Sequence, residues 1–473
     1  MCFSQIIHKK MQKIFSAFFL WMVVSSSFVV AQSIEKLAVI NLHQIQEPNY
    51  LKQNKVNYIE DKASAMRVED VMKAFEAQKG QAVTDPYQIN FGQSSSTFWI
   101  CFKVQDTFSE EVGKKWVFKI AYPSLDSVDF YFYDKKGQLQ VWNTGDRRGF
   151  VERDIKSTRF FAFHLPIHNQ EVHTFYLRVK GNGVLSVPII FYELEHYYSQ
   201  AIYEETLMGA FYGVLLVLSF YNLFLYFVLR SRMYLMYVAY MLGIAVFSAS
   251  LDGHLFQYIF FWSVYLAEST LVLSGYTAFF FLVSFIQAFL QTNKNIKYAH
   301  LFLNVLKYFF VLMSVIYLVT GNYKIPVGIL ALVSPSTALT VFLVCGYAAY
   351  KKIPSANLLI FAFLSSLLGT FIYGLKNANV LPNSLFTAYA YYVGFTIQGI
   401  IFSLALAERY KQLKRELINT QKEANETLEV KVKERTEALE MLHQEMVSQN
   451  EELQQSQEEI LAQRDAIAIK SNE

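Results

Sequence analysis

Between Leu207 and Tyr410 the chain alternates long apolar runs with short polar loops. Seven runs stand out: Leu207–Leu229, Met233–Leu251, Ala267–Leu290, Leu301–Thr320, Ile325–Tyr350, Ala356–Leu375 and Leu385–Ala407. Each is near the roughly 20 residues that a helix needs to cross a hydrocarbon core about 30 Å thick. In hydrocarbon every backbone N–H and C=O must pair within its own segment, so seven helices are predicted. Loops on one side carry Arg230 and Arg232, Lys294 and Lys297, then Lys351 and Lys352, and the last run exits into Arg409, Lys411, Lys414 and Arg415. Loops on the other side carry only Lys324 and Lys376. Basic loops favour the cytoplasmic side, which predicts an inside C-terminus and an outside N-terminal region.

Ahead of the apolar runs, from about Ser33 to Glu195, the period falls to two. Phe98, Ile100, Phe102 and Val104 alternate with Trp99, Cys101, Lys103 and Gln105. Shorter runs of the same kind lie at Trp116–Ile120, Val128–Phe132 and Phe175–Val179. Each predicts a strand with one buried face. Asp134-Lys135-Lys136-Gly137 and Asn182-Gly183 supply turns between them. A single short helix is predicted at Val68–Ala77. Many short antiparallel strands over roughly 160 residues indicate an all-β sandwich or jelly roll.

The two ends are of other kinds. Lys9, Lys10 and Lys13 precede the apolar stretches Ile14–Val24 and Phe28–Val30, and Val29-Val30-Ala31 offers a cleavage site before Gln32. This predicts a secretory signal peptide over 1–31, with an uncleaved eighth helix as the alternative. The expected divisions are 1–31 leader, 32–200 outer β domain, 201–410 seven-helix domain and 411–473 tail. Past Tyr410 there is neither Gly nor Pro, which favours unbroken helix. Val432, Leu439, Met446, Leu453, Ile460 and Ile467 recur every seven residues, an a-type coiled-coil seam. The d-type positions are weaker, with Leu428 and Leu442 beside the polar Arg435, Gln449, Ser456 and Gln463. One extra residue between Ala424 and Leu428 breaks the repeat and should locally unwind a supercoil. A parallel homodimer through this tail is expected.

Composition fits a membrane protein with solvated parts: 53% of the 473 residues are hydrophobic and 17% charged. A net charge of +3 gives no reason to expect a nucleic-acid partner. Cys2, Cys101 and Cys345 fall in separate segments, so neither an intrachain disulfide nor a metal site is expected. No cofactor is expected either. The last apolar run has no lysine for a retinal Schiff base, and protease motifs are missing. His443, the only tail histidine, lies in no kinase acceptor motif. No enzyme activity is expected.

The remaining polar residues carry the interest. Asp252, His254 and Glu268 lie at the outer ends of the second and third runs, where interfacial solvation is the favoured reading. The alternative is a polar vestibule through which the outer domain touches the helices. Lys307 is close enough to an inner end to snorkel. Asn222, among apolar neighbours in the first run, is expected to hydrogen-bond a facing helix. Pro326 and Pro335 mark the start and a kink of the fifth helix. In the outer domain Trp99, Trp142, Asp146, Arg147, Arg148 and Arg153 combine aromatic surface with hydrogen-bonding groups, as a sugar or anion site would. The plainer reading is a core tryptophan beside a charged hairpin.

Several motifs point further. Tyr58-Ile59-Glu60-Asp61, Asn90-Phe91-Gly92, Phe98-Trp99-Ile100, Tyr122-Pro123-Ser124-Leu125-Asp126-Ser127-Val128, Thr144-Gly145-Asp146-Arg147 and Tyr176-Leu177-Arg178-Val179 occur in that order. Gly213 then precedes Phe220-Tyr221-Asn222-Leu223-Phe224-Leu225, and Leu251-Asp252-Gly253 precedes Phe256-Gln257-Tyr258. Together they resemble the bacterial seven-transmembrane receptors with diverse intracellular signalling modules, the 7TM-DISM family, with its second type of extracellular domain. The resemblance covers about residues 40–410. It implies a periplasmic jelly roll similar to carbohydrate-binding modules, on a protein of the bacterial inner membrane. Glu434-Arg435-Thr436 resembles the linkers that precede histidine kinase or phosphatase modules in such receptors. The expected function is a receptor that senses a carbohydrate or other small ligand and signals through a dimeric tail to a separate cytoplasmic protein. The competing readings are a transporter or channel with a dimerising tail, and a piece of a longer sensor kinase or phosphatase.

Overall fold

The computed structural model describes residues 37–42, 56–83, 89–107, 115–167, 170–181, 183–377, 380–381 and 384–470. The predicted leader, with Cys2, and Asn182 of the second turn lie outside these residues. The chain forms two compact units, Met1–Leu406 and Ala407–Glu473.

The first unit opens with a β-rich domain. Its strands are β1 (Val39–Asn41), β2 (Val56–Asp61), β3 (Gln81–Ala82), β4 (Asn90–Gln93), β5 (Thr97–Gln105), β6 (Trp116–Ile120), β7 (Ser127–Tyr133), β8 (Leu139–Thr144), β9 (Phe161–His164), β10 (Val172–Lys180), β11 (Val184–Ser186) and β12 (Ile189–Glu193). The large sheet runs β3-β2-β5-β10-β7-β8, with β1 also paired to β5, and a three-stranded sheet runs β12-β6-β9. As the period-two pattern predicts, Phe98, Ile100, Phe102 and Val104 of β5 turn to one buried face. They join Phe118, Phe163 and Phe191 from the smaller sheet in one core; Phe102 meets Phe118 at 5.8 Å and Phe118 meets Phe163 at 4.9 Å. On the other face of the large sheet, Tyr176 opposes Cys101 and meets Phe75 of helix α1 (Val68–Glu76) at 6.0 Å.

The smaller sheet has a second apolar face, made by Val117, Ala162, Ile190 and Tyr192. It is closed by Tyr197, which belongs to the first membrane helix. That helix, α2 (Leu194–Leu229), starts directly after β12 and well before the apolar run at Leu207. Its opening turns pack Tyr197 on the sheet and turn Glu204 and Glu205 toward the β-domain, so hydropathy alone misses them.

The remaining helices are α3 (Arg232–Leu251), α4 (His254–Tyr258), α5 (Val264–Leu290), α6 (Thr292–Asn295), α7 (Lys297–Thr320), α8 (Lys324–Tyr350), α9 (Ala356–Asn377) and α10 (Leu385–Lys470). Seven of the described helices, α2, α3, α5, α7, α8, α9 and α10, are long and apolar enough to cross a membrane. Pro335 sits inside α8. Close helix approach depends on small residues: a Cβ on Gly394 of α10 would stand 2.7 Å from the Ser365 carbonyl oxygen of α9.

From Ala407 onward the second unit is the rest of α10, helical as the lack of Gly and Pro predicts. Val432, Leu439, Met446, Leu453 and Ile460 are all exposed in the single chain, while the side chain of Ile467 lies outside the described set.

Candidate functional site

The β-domain rests on the helix ends through buried charge. Lys119 on β6 reaches the Glu204 carboxylate of α2 at 2.8 Å and lies over the Phe160 ring at 4.4 Å. Burial pulls the Lys119 ammonium below its ordinary pKa, and Glu204 offsets part of that pull. One residue further along α2, Glu205 receives Arg159 of the β-domain at 2.6 Å. Its other oxygen lies 2.9 Å from His254 Nε2, and His254 Nδ1 lies 2.5 Å from Asp252 Oδ1. Asp252 in turn accepts from the hydroxyl of Tyr212 on α2 at 2.6 Å and from that of Tyr392 on α10 at 3.5 Å.

Both imidazole nitrogens face carboxylates, which favours the cationic ring, while Nε2 also lies 3.3 Å from the Arg159 guanidinium, which opposes it. Burial works against that charge, but the hydrogen bonds to Asp252 and Glu205 outweigh it, and the His254 pKa is raised. The cluster sets the basic groups of Arg159 and His254 against the carboxyl groups of Glu205 and Asp252. Gly253 makes this geometry possible: it holds φ at +88°, and a Cβ there would meet Pro123 at 3.5 Å and Arg159 at 3.6 Å.

Further contacts surround this clasp. Arg147, after β8, lies 3.6 Å from Asp126, 3.5 Å from Glu268 on α5, and over the Tyr323 ring at 4.4 Å. Phe150 meets Phe256 of α4 edge-on at 5.6 Å. Asn90 donates to the Asn377 carbonyl at the end of α9, at 2.8 Å. The β-domain therefore touches α2, α4, α5 and α9 directly, and touches α10 through Asp252.

The sequence candidates sort unevenly. Asp252 and His254 are 6% and 8% exposed, so they are not solvated interfacial groups. The vestibule alternative describes them, because the β-domain caps them. Asn222 does bond a facing helix, donating to Ser403 Oγ of α10 at 3.0 Å. The ectodomain candidates do not converge. Trp99 is 1% exposed and lies 5.6 Å from Tyr131, on the sheet face away from the inter-sheet core. Trp142 packs on the opposite, inner face against Phe132 at 4.6 Å. Arg148 and Arg178 both pair with Asp129. Arg153 is buried over Phe150 and Phe161 and donates to the Arg159 carbonyl at 2.6 Å. Asp146 has a solvent-shielded Oδ1, and burial together with nearby Asp126 raises its pKa to about 7. Lys119, Arg159, Glu204 and Glu205 escaped the sequence reading. The available signal was the adjacent Glu204-Glu205 pair just before an apolar run.

The geometry defines a multi-pass membrane protein whose N-terminal β-domain is joined to the helix ends by a buried ionic clasp. Residues 204–409 match the family model described as 7TM diverse intracellular signalling, and residues 53–193 match the one described as 7TMR-DISM extracellular 2. Over these two domains the chain belongs to the 7TMR-DISM family, and its β-domain is extracellular. No curated protein matches the chain.

Proposed function

We propose that the chain is a signal-transducing receptor of the bacterial inner membrane. Its β-domain, read as a periplasmic jelly roll, takes a carbohydrate or other small ligand, and α10 carries the response into the cytoplasm. The observation that supports this most is the chain of contacts Arg159–Glu205–His254–Asp252–Tyr392, which runs from the β-domain to the helix that forms the tail. A ligand that favours one arrangement of the clasp shifts the population of helix arrangements by its differential affinity. The tail pairs with that of a second copy through Val432, Leu439, Met446, Leu453 and Ile460, whose apolar side chains a single chain leaves uncovered. The output passes to a separate cytoplasmic signalling protein, and the chain itself performs no catalysis.

The test needs no identified ligand. Single cysteines at Leu439 and at Glu440 are crosslinked in membranes, in the full chain and in its Arg159→Ala variant. A crosslinking pattern that changes when the clasp is cut supports transmission. The same pattern in both, with the β-domain still folded, refutes it. Substrate flux in proteoliposomes would instead favour a transporter.

A further inference from the structure

The outer end of α2 borders a cavity of about 350 Å³, lined by Ser157 of the β-domain and by Tyr198, Ala201, Ile202, Glu205 and Thr206 of the helix. Among these residues Glu205 alone is charged, and it is the member of the clasp nearest to solvent. Its side chain is 25% exposed, against 6% for Arg159, 10% for His254 and 7% for Asp252. An ionised carboxylate offers about four lone-pair sites. The hydrogen bonds with Arg159 and His254 occupy two of them. The cavity therefore presents a carboxylate that can accept more, with the hydroxyl-bearing Ser157 and Tyr198 beside it.

Below the cavity the same side of α2 continues into the membrane-spanning run. Ile202, Thr206, Gly209, Gly213 and Phe220 follow one another at helical spacing and share one face. That face is open: Ile202 is 68% exposed and Phe220 67%. At both Gly209 and Gly213 a Cβ would meet nothing within 4 Å. The two missing side chains leave an apolar notch between Thr206 and Leu216, roughly 15 Å long at about 1.5 Å per residue. The exposed face of α7 has no such notch, since Leu301, Phe302, Val305, Tyr308 and Leu312 fill it with side chains.

We propose that this face of α2 binds a phospholipid of the outer leaflet whose headgroup bears a primary ammonium. The ammonium donates to Glu205, the phosphate accepts from Ser157 and Tyr198, and an acyl chain lies in the glycine notch. The cavity sits just ahead of Leu207, where the apolar run begins, which is headgroup depth. Its charge is negative, and the notch that continues it is apolar and exposed. A trimethylated headgroup has no N–H to donate, so ethanolamine is favoured over choline. This goes beyond the receptor reading and does not rest on it. Because Glu205 also holds Arg159 and His254, the bound headgroup meets the clasp at its exposed edge.

The experiment uses the full chain in phosphatidylcholine nanodiscs. These are doped with phosphatidylethanolamine or phosphatidylcholine carrying a photoreactive diazirine on one acyl chain, and labelled residues are mapped by mass spectrometry. The ethanolamine probe should label α2 between Thr206 and Phe220 about threefold more than the choline probe, the order expected of a half-exposed ion pair. On α7 the two probes should label equally. Gly209→Leu with Gly213→Leu fills open space without a clash and should remove the excess on α2. Glu205→Gln should make the probes equal there; since it also loosens the clasp, the glycine variant is the independent check. Equal labelling of α2 by both probes in the unaltered chain overturns the proposal, and so does an ethanolamine excess that survives either variant. The receptor reading stands in either case, because the tail-crosslinking test does not involve this lipid.

Discussion

The guanidinium of Arg159, on the β-domain, stands 2.6 Å from the carboxylate of Glu205, on the first membrane helix. Arg159 is 5% exposed, so removing it strands Glu205 beside Asp252 with one cation for two anions. Arg159→Ala should destabilise the full chain in detergent by about 3 kcal/mol, the usual cost of breaking a buried pair from one side. Arg159→Lys should recover only part of this, because an ammonium cannot reproduce the guanidinium fork. A loss under about 1 kcal/mol in thermal or denaturant melts would mean that the pair behaves as a surface bridge.

Stability should also fall as pH rises, in two limbs. The folded-state pKa of His254 is raised, so its contribution is complete below about pH 6.5, its unfolded value, and is lost as pH climbs through the folded one. Asp146 has the same sign: its folded pKa of about 7 exceeds the ordinary aspartate value of 3.8, so the fold favours its neutral form. Its contribution fades between those two values. The difference in melting temperature between the unaltered chain and each of the variants His254→Gln and Asp146→Asn should shrink as pH rises from 4 to 9. His254→Gln should flatten the upper limb and Asp146→Asn the lower one. Differences independent of pH would contradict both assignments.

Apart from the membrane, the extracellular domain should be more stable when the opening turns of α2 are kept. A fragment ending at Glu195 lacks Tyr197 and uncovers Val117, Ala162, Ile190 and Tyr192 of the smaller sheet. Ending the fragment at Thr206 restores that cover. Both should give β-type circular dichroism, and the longer should melt higher by about 2 kcal/mol, the order expected for burying one large side chain. Equal melts would mean that the sheet's second face needs no cover.

In the tail, Leu439→Asp with Leu453→Asp should abolish self-association of a peptide spanning 411–473, measured by sedimentation. Each substitution would bury two like charges in one layer of the seam. Association that survives both would show that these residues lie outside the interface.

Most of the fold is legible in the sequence, because burial imposes periods that survive as composition. The alternation from Phe98 to Gln105 marks β5, and five of the seven apolar runs coincide with their helices to within a few residues. What is not legible is where the two patterns meet. The opening turns of α2 mix Tyr197 with Glu204 and Glu205, so they score as polar although they are helical and half-covered. Asp252 and His254 stand at the end of an apolar run, as solvated residues commonly do. Only the tertiary arrival of Arg159, nearly a hundred residues earlier in the chain than His254, turns them into a buried cluster. Trp99 and Trp142 fail as a joint site for the opposite reason. Both sit on strands, and strand parity sends them to opposite faces of the same sheet.

The direct passage from Glu193 of β12 to Leu194 of α2 has a mechanical consequence. No flexible joint separates the extracellular sheet from the first membrane helix, so the 36-residue helix acts as a lever arm. At about 1.5 Å per residue that arm is roughly 54 Å long, and a tilt of about one degree at the sheet displaces its far tip by roughly 1 Å. Any rocking of the extracellular sheet is therefore passed to α2 without loss at a joint.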